Sequence, residues 1–118
     1  MFINLSNHPS DKWSKEQLEA ASIYGDVVDI PFPQVEPEAS EEEIMTLADE
    51  YSNRINEMHS EQIFVHVMGE MTFTYAMVRR LQSSNITCLA STTRREVEEL
   101  EDGKRITTFR FVKFRRYV

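Results

Sequence analysis

Several things are scarce or missing in this 118-residue chain, and each absence excludes something. Cys88 is the only cysteine. It has no partner for a zinc site, and within the apolar run "ITCLAS" it reads as a small buried hydrophobe rather than a reactive thiol. No apolar run approaches the ~20 residues that span a bilayer, so a membrane protein is not expected. The start "MFINLSNHPS" lacks a basic region followed by a long apolar stretch, so no secretory signal is visible and the cytoplasm is the expected location. No histidines or carboxylates show metal-ligand spacing, and neither a metal nor another cofactor is expected. Internal repeats and low-complexity segments are also missing. What remains, 41% hydrophobic and 28% charged residues, is the composition of one globular domain over residues 1–118 that can bury a core of its own.

The net charge of −7 argues against a long nucleic acid as partner, but the charge is unevenly spread. Residues 1–59 hold 13 acidic and 3 basic side chains, whereas residues 60–118 hold 7 and 10. The C-terminal half can therefore hold a small anion.

"FINL" reads as a short strand that breaks at the turn formers "SNHPS". Ser14 and Gln17 form a capping box, with Trp13 and Leu18 placed as its hydrophobic staple, and predict a helix over about 14–24. Gly25 sits where a left-handed cap is wanted, and "DVVDI" supplies a second strand. The proline-rich "PFPQVEPEAS" predicts an extended surface loop. Ser40 and Glu43 open a long helix whose apolar stripe is Ile44, Leu47, Ala48, Tyr51, Ile55 and Met58. "QIFVHVM" fits a central parallel strand covered on both faces. Phe73, Ala76, Met77 and Leu81 mark a third helix, and "NITCLAS" a fourth strand that "TTRR" leaves. "REVEEL", "EDG" and "KRITTFRFVKF" then look like a hairpin turning at Asp102 and Gly103, although the first arm could instead be a short helix. The alternation implies a doubly wound α/β sandwich: a mostly parallel sheet with a C-terminal antiparallel hairpin.

Ligands of such sheets bind beyond the carboxyl ends of the strands, and three loops are expected there: "SNHPS", "MGEMT" and "STTRR". They gather Ser6, Asn7, His8, Ser10, Gly69, Glu70, Met71, Thr72, Ser91, Thr92, Thr93, Arg94 and Arg95. Gly69 would let the chain turn and a ligand approach, while the following helix N-terminus would offer N–H groups to phosphate. The competing reading is that Gly69 eases strand-to-helix packing and Thr72 is an N-cap. His8 is the candidate proton-transfer group, and Arg94 with Arg95 the candidate anion holders. His66, mid-strand, reads as a satisfied core side chain. Tyr75, Phe109 and Phe111 read as core, with stacking on a base as the alternative.

The stretches "NLSNHPS…WS…EQL", "HVMGEMTFTYAMVRRL", "ITCLASTTRR" and "FRFVKFRRY" together resemble the small single-domain CRISPR-associated proteins related to the CRISPR-associated Rossmann fold. Several of these are ring nucleases that degrade the cyclic oligoadenylate messengers of type III CRISPR systems. The resemblance implies a Rossmann-like three-layer sandwich and a homodimer with the cyclic oligoadenylate across its two-fold axis. It also implies metal-independent cleavage, in which a ribose 2′-hydroxyl attacks the adjacent phosphate. Carried onto this chain, His8 would be the general acid or base and Arg94 would stabilise the transition state. Gly69 to Thr72 would cradle phosphate, Ser6, Asn7 and His8 would face the ribose or the scissile group, and Ser91, Thr92, Thr93 and Arg94 would close the other side. Rossmann-type members often carry Lys or Arg shortly after the loop glycine, where this chain has Glu70 and Met71. A non-catalytic binding module is the alternative.

Overall fold

A computed structural model describes residues 1–118. The chain runs β1 (Phe2–Ser6), a 3-10 turn (Ser10–Lys12), α1 (Lys15–Ser22), β2 (Val27–Asp29), α2 (Glu41–Asn56), β3 (Phe64–Met68), α3 (Met71–Ser83), β4 (Thr87–Glu99) and β5 (Arg105–Arg116). The five strands form one sheet in the order β2-β1-β3-β4-β5, with β5 alone antiparallel to its neighbour. The chain steps from β1 outward to β2, then back past β1 to β3, so the order reverses between β1 and β3. A mostly parallel α/β sheet with a C-terminal antiparallel hairpin is therefore present. No helix is long and apolar enough to cross a membrane.

The helix starts follow from their caps. Ser14 accepts a hydrogen bond from the Gln17 amide at 3.2 Å, and Ser40 from that of Glu43 at 3.1 Å. Trp13 does not staple α1 to Leu18, which is 40% exposed; its indole is buried edge-on to Phe2 in the core instead. Gly25 follows α1 at φ +135°, and a Cβ there would lie 2.7 Å from the Met1 nitrogen.

Side-chain alternation divides the core in two. Ile3 and Leu5 of β1, Val65 and Val67 of β3, and Cys88 of β4 join Ala48 and Ile55 of α2 and Phe73, Met77 and Leu81 of α3 in the larger cluster. The α2 stripe forms as its spacing requires: Ile44, Leu47, Tyr51 and Met58 pack against this cluster. Burial pushes the Cys88 thiol up to about 12, which makes it an inert core residue. The smaller cluster, on the α1 side, comprises Phe2, Trp13, Ala21, Leu89 and Phe114.

One expected element boundary is corrected. "STTRR" is not a loop: β4 continues through it to Glu99, paired with β5, so the Glu-rich arm is strand. The β-branched Thr92 and Thr93 suit a strand, and the long antiparallel partner supplies the hydrogen bonds that a polar loop would have taken from water. β4 meets β3 only over Thr87 to Leu89; its remainder is a two-stranded ribbon with β5. The ribbon gives the molecule extents of 53 × 38 × 25 Å. Tyr75 and Phe109, expected in the core, are 59% and 67% exposed because no helix covers them.

Candidate functional site

On the α1 side, the strands grade from apolar to polar toward their carboxyl ends. Phe2 gives way to Asn4 and Ser6 in register with Phe64, His66 and Met68, and β4, beyond its pairing with β3, runs from Leu89 to Ser91 and Thr93. The opposite face stays apolar through Leu5 and Val67. The polar ends open into a cleft of about 560 Å³ at the β1/β3 switch point. It is lined by Ser6, Asn7 and His8, by Lys12, Ser14 and Gln17, by His66, Met68 and Gly69, and by Ser91, Thr93, Phe109 and Phe111.

A hydrogen-bonded network forms the cleft floor. Asn4 Nδ2 donates to Asp29 Oδ1 at 2.7 Å and to the His8 carbonyl at 3.0 Å. Those two acceptors fix the amide orientation, leaving Asn4 Oδ1 to accept from Ser6 Oγ at 2.7 Å and to meet His66 Nδ1 at 2.9 Å. Because Oδ1 only accepts, His66 carries its proton on Nδ1, and Nε2 presents a lone pair. That Nε2 is buried without a partner, in a residue only 2% exposed. The imidazole stacks on Phe2 and meets Trp13 and Phe114 edge-on. Burial, with a smaller contribution from His8, pushes its pKa down to about 4, so it is neutral at pH 7. Asp29 also accepts from the Ser10 amide at 3.2 Å and hydroxyl at 2.6 Å. Partial desolvation raises its pKa, but the hydrogen bonds from Ser10 and Asn4 outweigh it and hold the carboxyl below its usual range.

The loop after β1 is fixed by its backbone. The Asn7 amide donates to the Met68 carbonyl at 3.2 Å, and Trp13 Nε1 donates to the His8 carbonyl at 2.9 Å, leaving the His8 side chain exposed at the rim. Across the cleft, Ser91 meets the Met68 sulfur through its amide and hydroxyl.

The residues after Gly69 take a different course from the expected phosphate cradle. Glu70 is the N-cap of α3: its carboxylate accepts from the Thr72 amide at 2.9 Å, the Thr72 hydroxyl, and the Phe73 amide at 2.8 Å. The hydrogen bond from the Thr72 hydroxyl, then that from the Phe73 amide, lowers the Glu70 pKa. The chain's own carboxylate therefore occupies the position an anion would take at this helix start. Gly69 does not have positive φ, and a Cβ there would overlap the Phe32 ring, so close packing explains this glycine. Met71 is 83% exposed and lines a second groove of about 510 Å³, between α3 and Tyr117–Val118.

The two arginines point to opposite faces of the ribbon. Register pairs Arg94 with Arg110 and Arg95 with Phe109, so Arg95 shares the face of Ser91, Thr93 and the cleft while Arg94 lies on the other. Thr92 is also on that other face. Its hydroxyl bonds both the amide and the carbonyl of Lys113, closing the β-bulge between Thr92 and Thr93. The bulge skips Val112 and turns Phe111 and Phe109 to the same side as Phe114. The cleft thus brings together Ser6, Asn7, His8, Gly69, Ser91 and Thr93, and leaves Glu70, Met71, Thr72, Thr92, Arg94 and Arg95 outside its lining, Arg95 on the same face of the ribbon but beyond the cleft.

Lys12 and His66 are cleft residues that the sequence alone did not single out as site residues. Lys12 lies four positions after His8 in the same polar stretch, a signal that was available; the pairing of His66 with Asn4 exists only once β1 and β3 are in register. No cluster of three or more His, Cys, Asp or Glu side chains is arranged to hold a metal ion.

No curated protein and no solved structure matches the chain. A family model does match it over residues 1–115, and the chain belongs to the Uncharacterized protein MJ1673 family.

Proposed function

We propose that this protein is a ring nuclease that binds and cleaves a cyclic oligoadenylate, with cyclic tetraadenylate the first ring to test, and so switches off type III CRISPR signalling. The supporting observation is the cleft itself. Two histidines and Lys12 stand beside hydroxyl groups at the β1/β3 switch point, with exposed Phe109 on the rim. Lys12 and the hydroxyls suit a phosphodiester, and the ring of Phe109 offers a face on which adenine can stack.

The chemistry is an in-line transfer. A ribose 2′-oxygen bonds to the adjacent phosphorus as the P–O5′ bond breaks. The 2′-hydroxyl gives up its proton, the 5′-oxygen gains one, and a linear product ends in a 2′,3′-cyclic phosphate. Lys12 and Arg95 supply positive charge on the cleft side where the phosphorane builds up charge. His8, exposed at the rim, is placed to protonate the leaving oxygen. Glu70 is bound to α3 and does not repel the phosphate from within the cleft.

A cleft of about 560 Å³ suits a drug-sized ligand and is too small to enclose a ring of four nucleotides. The ring therefore spans the clefts of two copies of the chain related by a two-fold axis. In this reading the sheet is the centre of a Rossmann-like three-layer sandwich, and the homodimer brings two carboxyl edges face to face.

The test is incubation with cyclic tetraadenylate and cyclic hexaadenylate in EDTA, followed by chromatography with mass detection. Linear products bearing a 2′,3′-cyclic phosphate are expected. Intact rings that raise the melting temperature would make the protein a binder instead, and intact rings without a shift would contradict the reading altogether.

A further inference from the structure

We infer that His66 is the base of the cleft and that Asn4 and Asp29 are its positioning residues, holding the ring in the tautomer that presents an unprotonated Nε2 to a ligand hydroxyl. The role of the base rests on the ring-nuclease reading; the tautomer does not.

Three observations carry the assignment. First, the relay is complete on one side: Asp29 Oδ1 accepts from Asn4 Nδ2, which commits Asn4 Oδ1 to accept from His66 Nδ1. An amide cannot reverse those roles while both the Asp29 carboxylate and the His8 carbonyl accept from its nitrogen. Second, the relay is open on the other side. Nε2 is buried without a partner, an arrangement that costs free energy unless something supplies a donor. Third, His66 lines the cleft, so a ligand there supplies the donor once it displaces the side chains that leave Nε2 almost no accessible surface. A sheet that needed only packing at this position would have taken Val or Leu, as at Val65 and Val67.

In the reaction, Nε2 accepts the 2′-hydroxyl hydrogen bond and takes its proton as the O2′–P bond forms. The imidazolium then shares its Nδ1 proton with Asn4 Oδ1 in a hydrogen bond already in place. The charged or titratable groups nearest the ring are His8 and Lys12 on the cleft side and Asp29 beyond Asn4. α1 contributes the uncharged Gln17, and β5 the Phe114 ring. A bound phosphodiester adds negative charge, which favours the protonated imidazole and draws the base toward working pH.

The test combines nitrogen NMR with kinetics. In ligand-free wild-type protein, His66 is expected as a neutral imidazole protonated at Nδ1, and the Nε2 resonance is expected to move when cyclic tetraadenylate is added. His66→Gln and Asn4→Ser, checked for folding by circular dichroism, should weaken ring binding by less than ~10-fold while turnover falls by ~100-fold or more and ~10-fold respectively. In Asn4→Ser the tautomer signals should mix, which a purely structural role would not produce. If wild-type protein cleaves rings and His66→Gln does so within threefold of it, the inference fails and the ring nuclease stands. If wild-type protein cleaves nothing, the ring-nuclease reading fails, and the NMR decides the relay alone. In the ligand-free protein a proton resident on Nδ1 supports the relay, whereas a proton resident on Nε2 overturns it.

Discussion

The two faces of the sheet use the same three strands for different ends. On the face toward α2 and α3, alternate residues are apolar along their length: Ile3 and Leu5, Val65 and Val67, with Cys88 beside them. On the face toward α1, the aromatic cluster around Phe2 and Phe114 gives way to Asn4 and His66 within two residues, and to Ser6 two further on. The first face can serve only stability, because every side chain on it is buried against another apolar one. The second gives up part of that burial and gains a set of oriented polar groups at the edge where ligands of such sheets bind. A strand with period-two alternation can carry both functions at once.

The largest effect should come from breaking the apolar face. Phe73 is fully buried and edge-on to both Phe32 and Tyr51, so Phe73→Ala should lower the unfolding free energy by ~3–5 kcal/mol in urea titrations. Ile106→Ala, on the exposed ribbon, should change it by less than ~0.5 kcal/mol.

The polar face should show itself next, through pH. His66 takes its proton at about 4 when folded, against an ordinary value of 6.5. Between those values the unfolded chain binds a proton that the folded one refuses, so stability should fall as pH drops from 6.5 toward 4. The loss attached to this group is on the order of 3 kcal/mol. His66→Gln should flatten that part of the stability-pH curve; an unchanged slope would mean that His66 is not held neutral.

Smaller effects should fall on ligand affinity without touching the fold. Phe109→Ala should weaken ring binding by ~1–3 kcal/mol through lost stacking. Arg95→Ala should weaken it more than Arg94→Ala, because only Arg95 shares the cleft face. Isothermal titration would read both comparisons, and equal losses for the two arginines would contradict the facing assigned to them.

The smallest expected effect is at α3. Glu70→Ala removes the cap and should reduce stability by ~0.5–2 kcal/mol at pH 7. The Glu70 pKa lies below its ordinary value of 4.5, so this contribution is present above 4.5 and lost as pH falls through the lower folded value. Thermal melts should therefore differ between the two proteins by less at pH 3 than at pH 7. Ring affinity should not fall.

Much of this fold was legible from local patterns. The Ser14 and Ser40 caps, the α2 stripe, the turn at Asp102 and Gly103, and the fully covered β3 all follow from short-range signals. The misread stretches are those where a partner distant in sequence decides. "STTRR" is polar enough for a loop, yet β5 pairs with it and makes it strand. Glu70 is an uncommon N-cap type beside Thr72, so the sequence favoured the threonine; the carboxylate reaches the Thr72 and Phe73 amides instead. His66 looked like an ordinary core residue because its isolation at Nε2, and its link through Asn4 to Asp29, need three strands in register. The alternation of strands and helices also put the loops after β1 and β3 at one carboxyl edge of the sheet, although Glu70 fills one of the positions expected to hold phosphate.

Two grooves lie on either side of Gly69, one toward His8 and Thr93, the other toward Met71 and Tyr117. The most direct test of the account is amide chemical-shift mapping during titration with cyclic tetraadenylate. The account predicts shifts at Ser6, Asn7, His8, Ser91 and Thr93, with the amides of Met71 to Tyr75 little changed. Shifts centred on Met71, Tyr75 and Val118, or none at saturating ring concentration, would contradict it.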